Sequence, residues 1–360
     1  MNKPKKILFA PLDWGIGHAS RCVPIIRLLT AKGAEVILAT SGRSASFLKA
    51  EFPGLQHIYV PGYDISYPHH GSMALRMLRR SPVILSSIRR EHRALESIID
   101  QYGIDAVISD NRFGMWSSRI PSIYITHQVT IKAPPAWSFT EGLLYMMHRK
   151  YIKYFDECWI PDNVEEGGLS GDLAHKRECP GTTYFIGPQS RFELPPEPVR
   201  EKKYDLMFII SGPEPQRSIF EEIIMEQLNG SNFKSLVLLG KPESKEKMVK
   251  GQTEVHSHMG TREIQEAMLA SELIICRPGY SSIMDLSALG KKAVLVPTPG
   301  QTEQEYLAAF HQYRQHYYTV DQSEFNIARC IEESRNYNGL GVPHEDFILN
   351  DRLDTLLLRL

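Results

Sequence analysis

The sequence predicts an α/β protein made of two doubly wound domains, and three observations predict it. The chain has 360 residues, more than one hydrophobic core usually serves. Short apolar runs of strand length alternate with segments of helical period, once near the N-terminus and again after residue 204. Between the two series, Gly187–Lys203 carries Pro188, Pro195, Pro196 and Pro198 and shows no period, as a linker would. The expected division is a first domain over 1–188, a linker over 189–203, a second domain over 204–340 and a terminal segment over 341–360 whose helix packs on one of them.

Taken in order, Lys6–Pro11 is an apolar run stopped by Asp13, Trp14 and Gly15. Cys22, Ile25, Ile26 and Leu29 follow at helical spacing, Gly33 ends that helix, and Glu35–Thr40 reads as a second strand. Ala106–Ser109 and Ser122–Thr126 are short buried-type strands that run into polar residues, Asp110-Asn111-Arg112 and His127-Gln128. In the second half, Leu206–Ile210, Ser235–Leu239, Leu273–Cys276 and Ala293–Val296 read as strands. Helices are expected over Ser218–Leu228, Thr261–Ala270 and Ser282–Leu289, and again over Phe347–Leu360. Two such Rossmann-like domains are expected to face a cleft at the C-terminal ends of their strands, where ligands bind by default.

Composition narrows the class. The formal charge of −1 supplies no field to recruit nucleic acid, so no nucleic-acid partner is expected. The five cysteines are widely spaced and never form Cys-x-x-Cys, which argues against zinc and against a disulfide framework. The apolar run behind the basic N-terminus ends at Leu12, too short for a signal segment, and no apolar stretch reaches the roughly 20 residues that span a bilayer. The expected location is the cytoplasm. The Asp-x-Asp pattern is absent from the sequence, and neither a metal nor a cofactor is expected.

In the second half, Ile274-Ile275-Cys276-Arg277-Pro278-Gly279-Tyr280-Ser281-Ser282 is a buried strand entering a turn and then a helix. Gly279 suits the turn, and Ser281 or Ser282 is the expected N-cap, with Asp285 three residues beyond. Unpaired N–H groups and the helix dipole at such a start stabilise a pyrophosphate, and Arg277 adds a full charge. After the next strand, Thr302-Glu303-Gln304-Glu305 reads as a capping box opening another helix. Gly212 and Arg217 lie in the polar loop after the first strand of this half, placed to meet the same phosphates, and the Arg217 guanidinium suits phosphate oxygens or is a solvated loop arginine. Taken alone, these patterns are also what any capped βα turn presents.

The segment Val255–Ala308 resembles the C-terminal nucleotide-binding half of GT-B glycosyltransferases. It is most similar to the bacterial peptidoglycan N-acetylglucosaminyltransferase family. The matching residues are His258-Met259-Gly260, Ala270-Ser271-Glu272-Leu273-Ile274-Ile275-Cys276-Arg277-Pro278-Gly279, Asp285, Val296-Pro297 and Gln304-Glu305-Tyr306. The resemblance implies that His258 and Met259 approach a uracil and that Asp285 holds the ribose hydroxyls. It further implies that the Gly279, Tyr280, Ser281, Ser282 turn receives a diphosphate and that Gln304 and Glu305 touch the donor sugar. The chain departs from the family at Arg277-Pro278-Gly279, where Ser-Gly is usual, at Asp285, where the acid is longer, and at Glu305, where a second glutamine is usual. The last departure bears on which sugar is carried.

In the first half, Gly15-Ile16-Gly17-His18-Ala19-Ser20-Arg21 is neither a dinucleotide fingerprint nor a Walker A loop, since Ser20 replaces the third glycine and no Gly-Lys-Ser/Thr follows. It presents a histidine at a helix start beside Gly15 and Gly17, which let a substrate approach the backbone. An imidazole there can take a proton from a sugar hydroxyl, or it can simply cap the helix. The same GT-B enzymes resemble this segment too, which implies that His18 acts as or beside the general base, with Asp110 at a later strand end orienting its ring. His127, past the next strand, is a second candidate base or acceptor contact.

The stretch 73–93 interleaves Arg76, Arg79, Arg80, Arg89, Arg90 and Arg93 with apolar residues. Such a stretch can rest on an anionic inner membrane face or meet a lipid-linked acceptor, and it can equally be a solvated face above a core stripe. The expected function is metal-independent, inverting transfer of a hexose or N-acetylhexosamine from a UDP-sugar to a hydroxyl on a small molecule, glycan or lipid-linked acceptor, in cell-envelope polysaccharide or glycolipid synthesis. A UDP-sugar 2-epimerase and a non-catalytic nucleotide-sugar-binding subunit are the alternatives.

Overall fold

The computed structural model describes residues 3–63, 73–165, 167–193, 202–241, 244, 246–342 and 347–360, with the side chains of 73–82 excepted. The described residues form two compact units, one within residues 3–63, 73–191 and 347–360, the other within 192–342. The proline-rich 194–201 lie outside the described residues.

The first unit carries β1 (Lys6–Pro11), β2 (Glu35–Thr40), β3 (Gln56–Tyr59), β4 (Ala106–Asp110), β5 (Ser122–Ile125), β6 (Glu157–Ile160) and β7 (Thr182–Phe185). Its helices are α1 (Ile16–Ala31), α2 (Gly42–Glu51), α3 (Met73–Tyr102), α4 (Glu141–Ile152) and α5 (Asp172–His175). The strands are all parallel in the order β3-β2-β1-β4-β5-β6-β7. Alternation along β1 and β2 sends Ile7, Phe9, Val36 and Leu38 to one face, against the α1 residues Val23, Ile26 and Leu29. Leu8, Ala10, Ile37 and Ala39 go to the other, against Leu95, Ile98 and Ile99 of α3. Covered on both faces, the strands need the near-continuous apolar runs seen in the sequence. Strand order reverses between β1 and β4, and there Pro11 stands in register with Asp110.

The second unit repeats the plan with β8 (Tyr204–Ile209), β9 (Ser235–Leu238), β10 (Lys247–Lys250), β11 (Thr253–His256), β12 (Ser271–Cys276), β13 (Ala293–Leu295) and β14 (Tyr318–Thr319). Its helices are α6 (Gln216–Leu228), α7 (Thr261–Leu269), α8 (Tyr280–Ala288), α9 (Thr302–Tyr313) and α10 (Ile327–Ser334). The order is β10-β11-β9-β8-β12-β13-β14, parallel except for the β10–β11 hairpin. Here the order reverses between β8 and β12. The last helix, α11 (Phe347–Arg359), belongs to the first unit, where Leu349, Leu353 and Leu356 join the core beneath β1 and β2.

Two local expectations are corrected. Helix α8 starts at Tyr280 with Gly279 as N-cap, so Ser281 and Ser282 lie inside its first turn and cap nothing. Helix α9 starts after Gln301 without a side-chain cap. The capping box fails because Gln304 and Glu305 reach back beyond the N-cap, accepting from the Thr298 and Gly300 N–H groups, each at 2.8 Å.

Candidate active site

At the switch point of the first sheet, the chain leaves β1 through Gly15, whose φ of 100° only glycine tolerates readily, and enters α1. His18 then falls in the first helical turn, with Arg21 and Cys22 three and four residues on and on the same face. Asp110 ends β4 directly opposite. His18 Nδ1 lies 2.6 Å from Asp110 Oδ1. Arg21 grips the same carboxylate with two nitrogens, Nε donating to Oδ2 at 2.5 Å and Nη2 to Oδ1 at 2.6 Å, while Nη1 donates to His127 Nδ1 at 2.6 Å. Asp110 is fully buried, Arg21 nearly so, and His127 largely so, whereas His18 keeps partial access to solvent.

Burial pushes the Asp110 carboxyl upward, but the Arg21 and His18 charges and hydrogen bonds outweigh it and hold the group well below the usual carboxylate range. Asp110 therefore accepts only, and His18 Nδ1 must be the donor to it. That leaves the imidazole Nε2 lone pair for a substrate proton. Burial pushes the Cys22 thiol well up, so it stays a weak donor, to the His18 carbonyl at 3.0 Å. Behind Asp110, Asn111 adopts a left-handed φ of 55°, and its side-chain oxygen accepts from Tyr124 Oη at 3.0 Å. The hydroxyl in turn accepts from His148 Nε2 at 3.1 Å.

In the second unit the sequence-selected residues follow strand C-terminal ends. Gly212 comes after β8, His258 and Met259 after β11, Arg277 to Ser282 after β12, and Gln304 and Glu305 beyond β13. His258 is exposed, Met259 and Tyr280 are buried, and Ser281, Ser282 and Asp285 are half-buried. Arg277, 1% exposed, donates to the carbonyls of Val296, Pro297 and Gln216 and to Gln322 Oε1, and its guanidinium lies 4.3 Å over the Phe220 ring. Burial pulls it down only to about 10, so it stays a cation at neutral pH, and among the described residues no carboxylate pairs with it. Arg217 is committed differently: it pairs with Glu214 at 2.5 Å and donates to the Gly240 carbonyl at 3.0 Å. A phosphate would have to displace Glu214 to reach it.

Sequence reasoning passed over two residues. Arg21 is visible as His-x-x-Arg on one helix face, but nothing local names its carboxylate. Thr298 sits between prolines after β13, buried, with a hydroxyl that has no partner among the described residues. A Cβ on Gly212, whose φ is 109°, would stand 3.4 Å from that hydroxyl, so the loops after β8 and β13 meet there. Among the described residues, no three His, Cys, Asp or Glu side chains are grouped to hold a metal ion, and no helix is long and apolar enough to cross a membrane.

Residues 216–336 match the model described as the glycosyltransferase family 28 C-terminal domain, and residues 5–133 match that described as glycosyl transferase family 1. No curated protein matches the sequence. Among solved structures, the calicheamicin glycosyltransferase CalG4 aligns with a TM-score of 0.62 at 14% identity, over 99% of this chain and 95% of that one. SnogD, a glycosyltransferase from Streptomyces nogalater, gives 0.61 at 13% over 99% and 95%, and MurG of Acinetobacter baumannii gives 0.58 at 13% over 99% and 100%. Family models for glycosyl transfer on both halves, on two doubly wound sheets with this whole-chain likeness, make the chain a glycosyltransferase of the GT-B type, with a family 28 C-terminal domain in its second unit.

Proposed function

We propose that the protein transfers a hexose or N-acetylhexosamine from a UDP-sugar to a hydroxyl acceptor, with inversion and without an obligatory metal. The observation that carries this reading is the 2.6 Å contact between His18 and the ionised Asp110 at the β1/β4 switch point. The acceptor O–H gives its proton to His18 Nε2. The oxygen bonds to the anomeric carbon as the bond to the diphosphate breaks, and that electron pair leaves with UDP. A single displacement of this kind inverts the centre. Imidazolium formed at His18 is stabilised by Asp110.

On the donor side, the start of α8, the Thr298 hydroxyl and the buried Arg277 charge support a diphosphate at the β8/β12 switch point. A helix N-terminus alone would bind any anion. The unpaired hydroxyl and a cation with no carboxylate partner among the described residues both favour one in this place. Asp285 is proposed to hold the ribose, His258 and Met259 the uracil, and Gln304 with Glu305 the sugar. Gly15, Gly17 and His127 are assigned to the acceptor side.

The acceptor is proposed to belong to cell-envelope polysaccharide or glycolipid synthesis, met at the inner membrane face. Exposed Val83, Leu85, Arg89, Arg90 and Arg93 on α3 support that, as do exposed Trp137, Phe139, Leu143 and Met146 at and before α4. Both groups lie on elements that pack around Phe113. The side chains of 73–82 lie outside the described residues.

The deciding experiment compares wild type with His18→Ala. Transfer should fall by about 10²–10⁴-fold while UDP affinity holds and chelation of divalent metal changes nothing. Normal turnover by His18→Ala would remove the base assignment. Formation of an isomeric nucleotide sugar without acceptor would replace transfer by epimerisation.

A further inference from the structure

We infer that Arg21 is a positioning residue that sets the proton arrangement of this site. One guanidinium holds Asp110 as a two-point acceptor, so fixing the His18 proton on Nδ1, and through its remaining nitrogen fixes the His127 proton on Nε2. The inference rests on the reading of His18 as the base.

The argument needs only donor and acceptor inventories. A guanidinium donates from every nitrogen and accepts nowhere, and an ionised carboxylate only accepts. Arg21 is 3% exposed and Asp110 fully buried, so neither can turn to water for another partner. Nε to Oδ2 at 2.5 Å and Nη2 to Oδ1 at 2.6 Å form the parallel fork that orients a carboxylate rigidly. His18 Nδ1 then lies 2.6 Å from Oδ1 and 2.9 Å from Nη2, two neighbours with opposite demands. A lone pair on Nδ1 would suit Nη2 but would face an anionic oxygen at the shorter distance. A proton on Nδ1 satisfies that oxygen, and the carboxylate wins.

His127 is resolved the other way. Its Nδ1 lies 2.6 Å from Arg21 Nη1, which can only donate, so this nitrogen carries the lone pair and the proton sits on Nε2. Two neutral imidazoles thus take opposite tautomers about one cation, one offering an acceptor at Nε2 and the other a donor. The groups facing His18 are Asp110 from β4, Arg21 and Cys22 from α1, and His127 across the guanidinium. With Arg21 present, Asp110 is already matched by a cation. Base competence and ring orientation come from the same residue. A lysine could supply the charge but not the fork, because an ammonium is a point donor.

The test uses the full chain with ¹⁵N-labelled histidine and long-range ¹H–¹⁵N correlation spectra above neutral pH. The wild type should show His18 protonated at Nδ1 and His127 at Nε2. Arg21→Gln should give a mixed pattern at His127 and lower kcat by about 100-fold, a positioning loss, with UDP affinity unchanged. It should also move the acid limb of kcat/KM to higher pH, because Asp110 then has only His18 to neutralise it. Arg21→Lys should restore the pH profile more than it restores kcat.

A wild-type spectrum with the His18 proton on Nε2, an Arg21→Gln variant with unaltered tautomers and pH profile, or an Arg21→Lys variant with wild-type kcat, would overturn the inference. Should Arg21→Gln not fold, the wild-type spectrum and Arg21→Lys still decide. The tautomer readout is independent of any transfer assay. Wrong tautomers beside an inactive His18→Ala would sink the clamp and keep the base, and right tautomers beside an active His18→Ala would do the reverse.

Discussion

A buried hydroxyl without a partner costs folding free energy, so Thr298 Oγ1 is either a flaw or a place kept for a ligand atom. The two readings differ in sign when the hydroxyl becomes a methyl. Thr298→Val removes the unsatisfied group with almost no change of shape, so stability in urea should stay level or rise. If the hydroxyl meets the diphosphate, UDP affinity should fall by about 10- to 50-fold, the worth of a hydrogen bond to a charged group in the lower half of its range. Titration calorimetry with UDP reads the second effect and chemical denaturation the first. Unchanged affinity would leave Thr298 a tolerated flaw and take one support from the donor site. Arg277 makes the opposite case, since four acceptors from three separate chain segments converge on it. Arg277→Met should destabilise the unit by about 1–3 kcal/mol or more through the carbonyls it leaves unpaired, before any effect on ligand is visible.

At the scale of elements, the strand-end network behind Asp110 has its own pH signature. His148 is buried on α4, and burial lowers it to about 4, partly offset by the Val129 and Gln128 backbone. A histidine depressed in the folded state contributes stability above its unfolded value near 6.5, which is lost as pH falls towards about 4, because the unfolded chain takes up the proton first. The stake is about 3 kcal/mol. The stability difference between wild type and His148→Gln, followed by urea midpoint, should be constant above neutrality and shrink progressively below about pH 6.5. A difference flat down to pH 4 would mean the ring charges freely in place.

These elements also mark where the sequence could be read. The paired β-α-β openings, Gly33 as a helix stop and the polar residues past β4 and β5 were legible because period and punctuation are local. His18 at a helix start and Asp110 at a strand end could be singled out, and in the fold they touch. What was not legible depends on partners chosen by tertiary contact. Strands β3 and β7 and the β10–β11 hairpin are short sheet-edge pieces with weak apolar pattern, and β10 is exposed throughout. The α9 capping box had the right letters, yet Gln304 and Glu305 were claimed by the preceding loop. Arg21 and Thr298 carry no motif, since a buried fork and a lone hydroxyl are defined by what surrounds them.

For the whole molecule, the instructive element is the one farthest along the chain. Helix α11 returns to the first unit, and its apolar stripe of Leu349, Leu353 and Leu356 completes the core over β1, β2 and α1. Lys32 pairs with Asp354 at 2.6 Å, Arg359 with Glu157 at 3.0 Å, and Lys5 Nζ donates to the Leu360 carbonyl. The exposed Lys32 pair adds little, because water screens both partners. The leucines decide. Leu353 is fully buried, and Leu353→Ala should cost about 2–5 kcal/mol, the range for a leucine whose cavity cannot collapse. Since α1 carries His18 and Arg21 on one face and Val23, Ile26 and Leu29 on another, the damage should reach transfer through the seating of α1. Hydrogen exchange should therefore quicken in β1, β2 and α1 while β8, β12 and α8 keep their protection, and kcat should fall with UDP affinity unchanged. Uniform loss of protection across both sheets would show that the two units unfold as one.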